Sequence, residues 1–339
     1  MTALVPEISV LVPMYNAQAT LVVALESLRR QTFTDWECVL CDDGSTDSTL
    51  ELAATYARND SRFVVTHRGH GGLVSTLNWG MQQCRGAAIA RFDADDIAHR
   101  ERLQTQHQFL FNHPEYAGVG CGVRMFPRAD LTDGRRGYET WLNSLTTEWD
   151  IIRDRFVECP IAHPTWLLKR EVLLAHGYRD QQWPEDYDLI LRLLGAGCRL
   201  STVGRRLLFW RDCPSRLSRN DSAYGLESFT RCRAHFLAAD WLSGKAHYGL
   251  WGYGSTGRNL ARAMVQYGKH PAYIVELHPR RIGQRIAGAP VIAPAGLARL
   301  RQPGDKLIIS VAGQKQRGDA REIAKTLNLV ENVDFICAA

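Results

Sequence analysis

Apolar runs of strand length alternate with amphipathic segments of helix length from Glu7 onward. An order of this kind predicts a mostly parallel sheet that is covered by helices. A further helix is predicted at 187–194, and the irregular pattern between 126 and 155 indicates an inserted loop and a short helix. The predicted strands lie at 8–12, 37–40, 63–66 and 87–92, and the predicted helices between them at 20–30, 48–57 and 73–84.

The strand and helix order starts again near Gly244, after a predicted helix at 223–242. A chain of 339 residues is long for a single α/β domain, so we predict two domains, 1–243 and 244–339. The second is a small α/β domain. Its predicted strands lie at 248–251, 272–275, 307–310 and 335–337, and its predicted helices at 258–267 and 319–327.

Composition is that of a globular protein, with 45% hydrophobic residues and a formal net charge of +5. No apolar run reaches the about 18 residues of a membrane-spanning helix, and the first residues lack the order of a signal peptide, so we expect a cytoplasmic protein. Basic residues are dense between 205 and 233. This density leaves open a contact with diphosphates, with an anionic acceptor or with the inner face of a membrane, as well as a solvated surface. The nine cysteines are scattered and complete no zinc site, so we predict reduced thiols in the core.

Acidic residues directly follow the fourth predicted strand, at Asp93 and Asp95. In an extended chain, side chains two residues apart face the same side. Two carboxylates placed in this way suit Mg²⁺ or Mn²⁺, an ion that completes its shell with water and substrate phosphates. Polar residues also follow the first and second strands, at 13–16 and 42–45, and ligands collect at the carboxyl ends of parallel strands.

Five ordered motifs resemble those of the family 2 glycosyltransferases. They are Ile8-Ser9-Val10-Leu11-Val12-Pro13-Met14-Tyr15-Asn16, Ser27-Leu28-Arg29-Arg30-Gln31-Thr32-Phe33, Asp42-Asp43-Gly44-Ser45-Thr46-Asp47, Phe92-Asp93-Ala94-Asp95-Asp96 and Pro184-Glu185-Asp186-Tyr187-Asp188. The resemblance covers about residues 6–220. It implies a GT-A fold with one nucleotide-binding sheet flanked by helices, an Asp-x-Asp metal site, and inversion of the anomeric carbon with a carboxylate as base.

The resemblance assigns roles to single positions at the nucleotide-sugar. Asp42 or Asp43 is expected to accept a hydrogen bond from the ring N–H of the base, because an ionised carboxylate is acceptor-only. The alternative for this loop is a turn followed by a helix that Ser45 or Asp47 caps. For Arg68, a surface position is an equal alternative. The residues expected at the nucleotide-sugar are Pro13, Tyr15, Asn16, Asp42, Asp43, Arg68, Asn78, Asp93 and Ala94, with Asp95 and Asp93 as the metal ligands.

Asp186 is the expected catalytic base, which takes the proton of the acceptor hydroxyl as this hydroxyl attacks the sugar. Its position after a proline also fits an ordinary helix N-terminus. The residues expected on the acceptor side are His163, Trp183 and Glu185. A hydrogen-bonded, partly buried side chain is the alternative for His163, and a place in the core is the alternative for Trp183. The late loop at 210–218 offers no histidine, so a third metal ligand would be Asp212 or water.

A glycine-rich turn in the second predicted domain matches a dinucleotide-binding pattern. Gly252, Gly254 and Gly257 follow a strand and open a helix, and Glu276 ends the next strand, 19 residues beyond Gly257. Such a turn leaves room for a pyrophosphate, and the acid suits a ribose hydroxyl. The domain resembles the small Rossmann-like domains beside sugar-modifying acyl- and methyltransferases. Binding of NAD(P), a nucleotide or a nucleotide-sugar therefore stands beside a packing or homodimer-forming role.

The leading hypothesis is a metal-dependent, inverting glycosyltransferase that moves a sugar from a nucleotide-diphosphate sugar, with UDP favoured, to a hydroxyl acceptor. The acceptor is a saccharide, a lipid-linked saccharide or another hydroxyl compound, in polysaccharide or glycoconjugate synthesis, and no nucleic acid is expected as a partner. One alternative is an NAD(P)-dependent enzyme that modifies nucleotide-sugars. This alternative lacks a Tyr-x-x-x-Lys or catalytic cysteine constellation. Another is a non-catalytic scaffold that binds nucleotide-sugars, against which Asp93, Asp95 and Asp186 argue.

Overall fold

The computed structural model describes residues 5–213 and 216–339, which form two compact units. Most of the chain up to Arg216 belongs to the first unit. The second unit contains Leu217–Ala339 and two earlier segments, Ile152–Pro160 and Gln181–Tyr187. This grouping differs from the predicted domains 1–243 and 244–339, because side chains such as Asp154, which pairs with Arg321, pack inside the second unit.

The first unit is built on one eight-stranded sheet. Its strands are β1 (Ile8–Met14), β2 (Trp36–Asp42), β3 (Phe63–His67), β4 (Ala88–Arg91), β5 (Ile97–Ala98), β6 (Gly118–Phe126), β7 (Leu167–Lys169) and β8 (Leu200–Arg211). They lie in the order β3-β2-β1-β4-β7-β6-β8-β5. The pairs among β1 to β4 are parallel, as is β6 with β8, whereas β7 is antiparallel to both of its neighbours and β5 to β8.

The four predicted strands are confirmed as β1 to β4, within two residues at each end. All seven residues of β2 are buried, and six of the seven in β1. Strands of a parallel sheet that helices cover on both faces show this burial. Strands β5 to β8 were not predicted, and β8 carries the exposed residues Arg205 and Arg206 in its middle.

The helices that precede the second sheet along the chain cover and connect the strands of the first unit, except those from Leu217 onward, which belong to the second unit. They are α1 (Leu21–Arg29), α2 (Thr49–Asn59), α3 (Leu73–Gln83), α4 (Arg102–Asn112), α5 (Asp133–Asn143), α6 (Glu148–Asp154), α7 (Arg170–His176), α8 (Glu185–Gly195), α9 (Leu217–Asn220) and α10 (Leu226–Phe236), with 3-10 turns at His163–Thr165 and Ser222–Tyr224 and a π-helical turn at Leu237–Trp241. The inserted segment at 126–155 contains α5 and α6. The predicted helices at 187–194 and 223–242 are confirmed as α8 and as α10 with the π-helical turn.

The second unit contains a six-stranded sheet in the order β11-β12-β10-β9-β13-β14. Its elements are β9 (His247–Trp251), α11 (Ser255–Val265), β10 (His270–Val275), β11 (Arg285–Ile286), β12 (Ala289–Ile292), α12 (Leu297–Leu300), β13 (Leu307–Ile309), α13 (Gln314–Thr326) and β14 (Phe335–Cys337), with a 3-10 turn at Pro294–Gly296. All pairs except β11 with β12 are parallel. The five parallel strands are, in chain order, β9, β10, β12, β13 and β14. In the sheet they lie in the order 3-2-1-4-5, which is the order of doubly wound folds.

Within the described ranges, every helix is too short or too polar to cross a bilayer.

Candidate active site

The loops after β1 and β2 are tied to each other at the carboxyl edge of the first sheet. Asn16 has a left-handed backbone with φ of 49°, and its side-chain oxygen accepts a hydrogen bond from the Thr46 amide at 2.9 Å. The Asn16 amide donates to the Ser45 hydroxyl at 3.0 Å, and the Asp43 amide donates to the Met14 carbonyl at 2.9 Å. Two predicted site segments, 13–16 and 42–45, are thus brought together.

Asp42, at the end of β2, is completely buried. One of its carboxylate oxygens, Oδ2, accepts a hydrogen bond from the Ser45 amide at 3.2 Å and lies 2.8 Å from Nδ1 of His67. Its other oxygen, Oδ1, is buried and has no hydrogen-bond partner among the described residues. An unpaired buried acceptor costs free energy, so Oδ1 would gain from a donor that reaches it.

Asp43 holds the loop that follows β3. Its two carboxylate oxygens accept hydrogen bonds from the amides of Gly71 and Gly72, both at 2.9 Å, and Oδ2 lies 2.9 Å from Nδ1 of His70. The His70 ring stacks on Tyr15 with 4.4 Å between ring centroids, and both rings are about half exposed. The Asp43 carboxylate therefore shapes an exposed pair of rings, and its hydrogen-bonding capacity is largely used by the protein itself.

The residues also predicted at the nucleotide-sugar are Pro13, Ala94, Arg68 and Asn78. Pro13 lies half-buried at the end of β1, and the Ala94 carbonyl accepts a hydrogen bond from the Thr20 hydroxyl at 3.1 Å. Arg68 is about one-third exposed, donates to the Ser75 carbonyl at 3.3 Å, and lies 4.0 Å from Asp43. Asn78, in contrast, is bound by its whole amide group to the backbone of Tyr178.

Three carboxylates gather just beyond β4. Asp93, Asp95 and Asp96 each offer an oxygen, and these oxygens lie within 4.8 Å of one another. Asp93 and Asp95 were the predicted metal ligands, and the structure adds Asp96, whose signal in the sequence was only its adjacency to Asp95. Hard oxygen donors at this spacing fit a divalent ion such as Mg²⁺ or Mn²⁺.

The three carboxyl groups titrate differently. Burial raises the pKa of Asp95 to about 6, and the neighbouring Asp93 contributes to this rise. Burial, followed by repulsion from Asp93 and Asp95, holds the pKa of Asp96 well above its ordinary value. Burial also acts to raise the pKa of Asp93, but the guanidinium groups of Arg91 and Arg216 outweigh it and lower the pKa. The cluster therefore concentrates negative charge that a bound cation would relieve.

The end of β8 closes around this cluster. The Arg211 amide donates to Oδ1 of Asp96 at 2.7 Å, and its guanidinium donates to the Asp95 carbonyl at 2.7 Å. Arg216 lies 4.0 Å from Asp93. Asp212, which the sequence offered as a substitute third ligand, pairs instead with Arg135 at 3.2 Å and is not a member of the carboxylate cluster.

The predicted base and its neighbours lie at the start of α8, in the second unit. Asp186 is half-buried, and its Oδ1 accepts a hydrogen bond from the Tyr187 amide at 2.7 Å. Glu185 is buried and accepts a hydrogen bond from the Tyr224 hydroxyl at 2.5 Å. The Trp183 ring lies 5.4 Å from the ring of His235. Asp186 is the more accessible of the two adjacent carboxylates.

His163 is buried and lies in the 3-10 turn before β7. Its Nε2 lies 2.8 Å from the Tyr178 hydroxyl, and its ring packs on Trp166 with 4.6 Å between centroids. The hydrogen-bonded, buried side chain considered as the alternative is what the structure shows. Its place on the acceptor side stays a prediction.

The glycine-rich turn lies where the sequence placed it, between β9 and α11. Gly252 has φ of 90°, and a Cβ on Gly257 would overlap the Gly252 carbonyl oxygen, so both positions require glycine. A Cβ on Gly254 would meet no atom within 4 Å. Glu276 is engaged inside the unit, because it accepts hydrogen bonds from the Tyr253 amide at 2.9 Å and from Arg281 at 3.0 Å.

A family model for glycosyl transferase family 2 matches residues 9–176. EpsE of Bacillus subtilis (strain 168), provisionally named as a glycosyltransferase, is 30% identical over 229 residues, which are 66% of this chain and 79% of EpsE. The amylovoran biosynthesis glycosyltransferase AmsE of Erwinia amylovora is 30% identical over 193 residues, which are 56% of this chain and 70% of AmsE.

Among solved structures, S. aureus TarS 1–349 in complex with UDP-GlcNAc is similar in fold. The TM-score is 0.56 at 18% sequence identity, and the match covers 77% of this chain and 72% of the TarS chain. At this identity the likeness shows the GT-A type of fold, and the sequence relatives carry the assignment of the family. The chain is therefore a glycosyltransferase and belongs to glycosyltransferase family 2.

Proposed function

We propose that the protein is an inverting, metal-dependent glycosyltransferase that takes its sugar from a UDP-sugar. The observation that carries this proposal is the group of three carboxylates beyond β4, with mutually adjacent oxygens and a pKa of about 6 at Asp95. Carboxylates at such close range are stabilised by a cation, and a metal-bound diphosphate is the leaving group that transfer from a nucleotide-sugar requires. TarS, the structural neighbour described above, was crystallised with UDP-GlcNAc.

Asp93 and Asp95 would hold Mn²⁺ or Mg²⁺, with Asp96 beside them as the third carboxylate. When bound, the ion neutralises the charge that develops on the diphosphate as the bond to the sugar breaks. Arg211 binds two members of the cluster, because it donates to the Asp96 carboxylate through its amide and to the Asp95 carbonyl through its side chain. This anchoring holds the carboxylates of the cluster in place for the leaving group.

The nucleoside would occupy the edge formed by the ends of β1 and β2. Pro13, Tyr15 and Asn16 line it from one side, and the unpaired Oδ1 of the buried Asp42 supplies an acceptor for a ring N–H. Asp43 contributes indirectly, because its carboxylate already binds Gly71, Gly72 and His70. An imide N–H, as in uracil, is one donor that suits such a carboxylate.

Asp186 would act as the general base. The acceptor hydroxyl oxygen attacks the anomeric carbon, the bond from that carbon to the diphosphate oxygen breaks, and the hydroxyl proton passes to the Asp186 carboxylate. One displacement of this kind inverts the anomeric configuration. The half-buried state of Asp186 supports this role over Glu185, whose carboxylate is buried against Tyr224.

The acceptor is proposed to be a hydroxyl of a saccharide or of a lipid-linked saccharide, in the synthesis of a polysaccharide or glycoconjugate. The name of AmsE, which refers to amylovoran biosynthesis, supports this class of product. We place the reaction in the cytoplasm, with the inner face of the membrane as the location of a lipid-linked acceptor.

A thermal-shift screen of the full chain tests the donor and the metal together. UDP-sugars should raise the unfolding temperature in the presence of Mn²⁺ and much less after treatment with a chelator, because a ligand that binds only the folded state stabilises it. The best donor is then offered with saccharide acceptors, and release of UDP and the anomeric configuration of the product are measured. A retained configuration, or a shift that Mn²⁺ does not change, would contradict the proposal.

The second sheet is proposed to bind a nucleotide-containing ligand at the turn of Gly252 to Gly257, with dimer formation as the alternative. The open space at Gly254 supports this proposal, since neither the backbone nor a neighbour requires glycine there. Titration calorimetry of the full chain with Asp95→Asn, which removes a proposed metal ligand of the first site, is expected to show that binding of NAD(P) persists. If Asp95→Asn abolished the binding and the chain formed a concentration-dependent dimer, the dimer-forming role of the second sheet would be supported.

A further inference from the structure

Asn78 in α3 clamps the backbone of Tyr178. Its Nδ2 donates to the Tyr178 carbonyl at 2.9 Å, and its Oδ1 accepts from the Tyr178 amide at 2.9 Å. The preceding residue, Gly177, has φ of 55°, a conformation that glycine adopts readily. A side-chain amide that satisfies both backbone groups of one residue holds that residue at a fixed distance from its own helix.

Tyr178 in turn holds the side chain of His163. Both side chains are buried, and the Tyr178 hydroxyl lies 2.8 Å from Nε2 of His163. The imidazole also packs on Trp166, whose indole N–H donates to the Ile161 carbonyl at 3.0 Å. A hydrogen bond at one ring nitrogen and an aromatic contact on the ring together restrict the orientation of the imidazole.

The turn that contains His163 runs alongside the segment after β4 because of how β7 pairs with β4. The two strands are antiparallel with Ala90 opposite Leu167, and the Arg91 amide donates to the Trp166 carbonyl at 2.9 Å. Residues just before β7 therefore run alongside the residues that follow β4, where Asp93 lies. The electrostatic surroundings of Asp93 include His163 as well as Arg91 and Arg216.

We infer that Tyr178 and Asn78 are positioning residues for sugar transfer, which hold the His163 ring beside Asp93 in the geometry that the reacting complex needs. The inference rests on the proposed function for its kinetic part only. Asn78 was expected at the nucleotide-sugar, but its amide binds the backbone of Tyr178, and Tyr178 carried no signal in the sequence.

The first test is a comparison of kinetic constants. Tyr178→Phe removes only the hydroxyl, so we expect kcat to fall about tenfold, while the KM for the UDP-sugar and the affinity for UDP stay within about twofold. Tyr248→Phe is the matched control, because its buried hydroxyl has no partner among the described residues and lies in the second unit. It should leave kcat unchanged.

A double-mutant cycle separates positioning from general stability. If Tyr178 acts through His163, the double variant His163→Gln with Tyr178→Phe should be no slower than His163→Gln alone. Multiplied effects, or a wild-type kcat for Tyr178→Phe, would overturn the inference. Asn78→Ala should reproduce part of the loss in kcat. If kcat fell equally in Tyr178→Phe and Tyr248→Phe, the loss would reflect lower stability of the folded chain and not positioning of His163.

A measurement without substrate keeps the inference testable if no donor is found. In nitrogen-15 NMR of the imidazole groups, the His163 resonances, assigned by their absence in His163→Gln, should shift in Tyr178→Phe and stay in place in Tyr248→Phe. Unchanged His163 resonances in Tyr178→Phe would overturn the positioning role. Absence of any sugar transfer by the wild-type chain would contradict the proposed function alone.

Discussion

Both sheets end their parallel strands in a candidate site, but the first lines that edge with carboxylates and the second with glycines. Beyond β4, Asp93, Asp95 and Asp96 bring three oxygens within 4.8 Å of one another. Beyond β9, the Gly252 carbonyl and the Gly257 backbone are in contact, and the Ser310 hydroxyl donates to the Gly252 carbonyl at 2.7 Å. The first edge presents charge, and the second presents backbone.

The two edges are therefore stabilised in opposite ways. Burial, followed by repulsion from Asp93, raises the pKa of Asp95 to about 6, so the ionised carboxylates of the cluster are destabilised in the folded state. The glycine turn is satisfied within the second unit, since Glu276 accepts hydrogen bonds from Tyr253 and Arg281. Changes at the acidic edge should affect activity more than stability, and changes at the glycine turn should do the reverse.

The largest effect is expected for Asp95→Asn. Loss of one carboxylate from the metal-binding group should reduce sugar transfer roughly 10³-fold, equivalent to about 4 kcal/mol of transition-state stabilisation. The folded state should not suffer. Because the pKa of Asp95 is raised in the folded state, the free energy of unfolding falls as the pH rises from about 4 to about 6. Above about pH 6 the ionised carboxylate opposes folding, and Asn removes this cost. Steady-state kinetics with Mn²⁺ and thermal unfolding without metal check both parts.

Asp130→Asn is the control for this change, because Asp130 is an exposed carboxylate of the same unit. It should alter neither the kinetics nor the unfolding temperature. Near-normal transfer by Asp95→Asn would remove this residue from the mechanism, and an unfolding temperature that falls at a pH above the Asp95 pKa would show that its carboxylate stabilises the fold.

A smaller loss is expected for Asp186→Asn. A general base typically contributes at least about 10²-fold to the rate, and we expect a loss of that size in kcat with an unchanged affinity for UDP. Glu185→Gln is the informative comparison, because the two carboxylates are adjacent and Glu185 is bound to Tyr224. A loss confined to Glu185→Gln would assign the base to that residue instead.

The sequence predicted the parts of the molecule that depend on local patterns. Runs of apolar residues identified β1 to β4, and the spacing of Asp93 and Asp95 identified the acidic edge. β8 was missed because Gly204, Arg205 and Arg206 interrupt its apolar pattern, although pairing with β6 keeps it extended. Local strand propensity is weak where cross-strand pairing decides the structure.

Contacts between distant residues could not be predicted in this way. Asn78 and Tyr178 are 100 positions apart, and their hydrogen bonds exist only because α3 and the segment after α7 meet in the fold. The pairing of Asp212 with Arg135 likewise depends on where α5 packs, so a single sequence left Asp212 open as a metal ligand. The unpaired oxygen of Asp42 is a further property that only burial in the fold reveals.

The smallest effects are expected at the glycine turn, where two neighbouring glycines differ in the reason for their presence. A Cβ on Gly257 would overlap the Gly252 carbonyl oxygen and lie 2.7 Å from the Ser310 hydroxyl oxygen, so Gly257→Ala should destabilise the second unit. Overpacking of this kind costs about 1–3 kcal/mol, against which the higher helix propensity of alanine recovers about 1 kcal/mol. Urea unfolding of the full chain measures the difference.

Gly254→Ala is the matched control, because its φ of −72° suits alanine and no atom lies within 4 Å of the methyl group that alanine would add. Its free energy of unfolding should stay within about 1 kcal/mol of the wild type, the cost of losing glycine at an N-cap. If the second sheet binds a nucleotide, this variant should nevertheless weaken that binding, since the methyl group occupies space that only a ligand would use. Unchanged stability and unchanged binding in Gly254→Ala would remove the nucleotide from this edge and leave the carboxylate edge as the ligand site of the two.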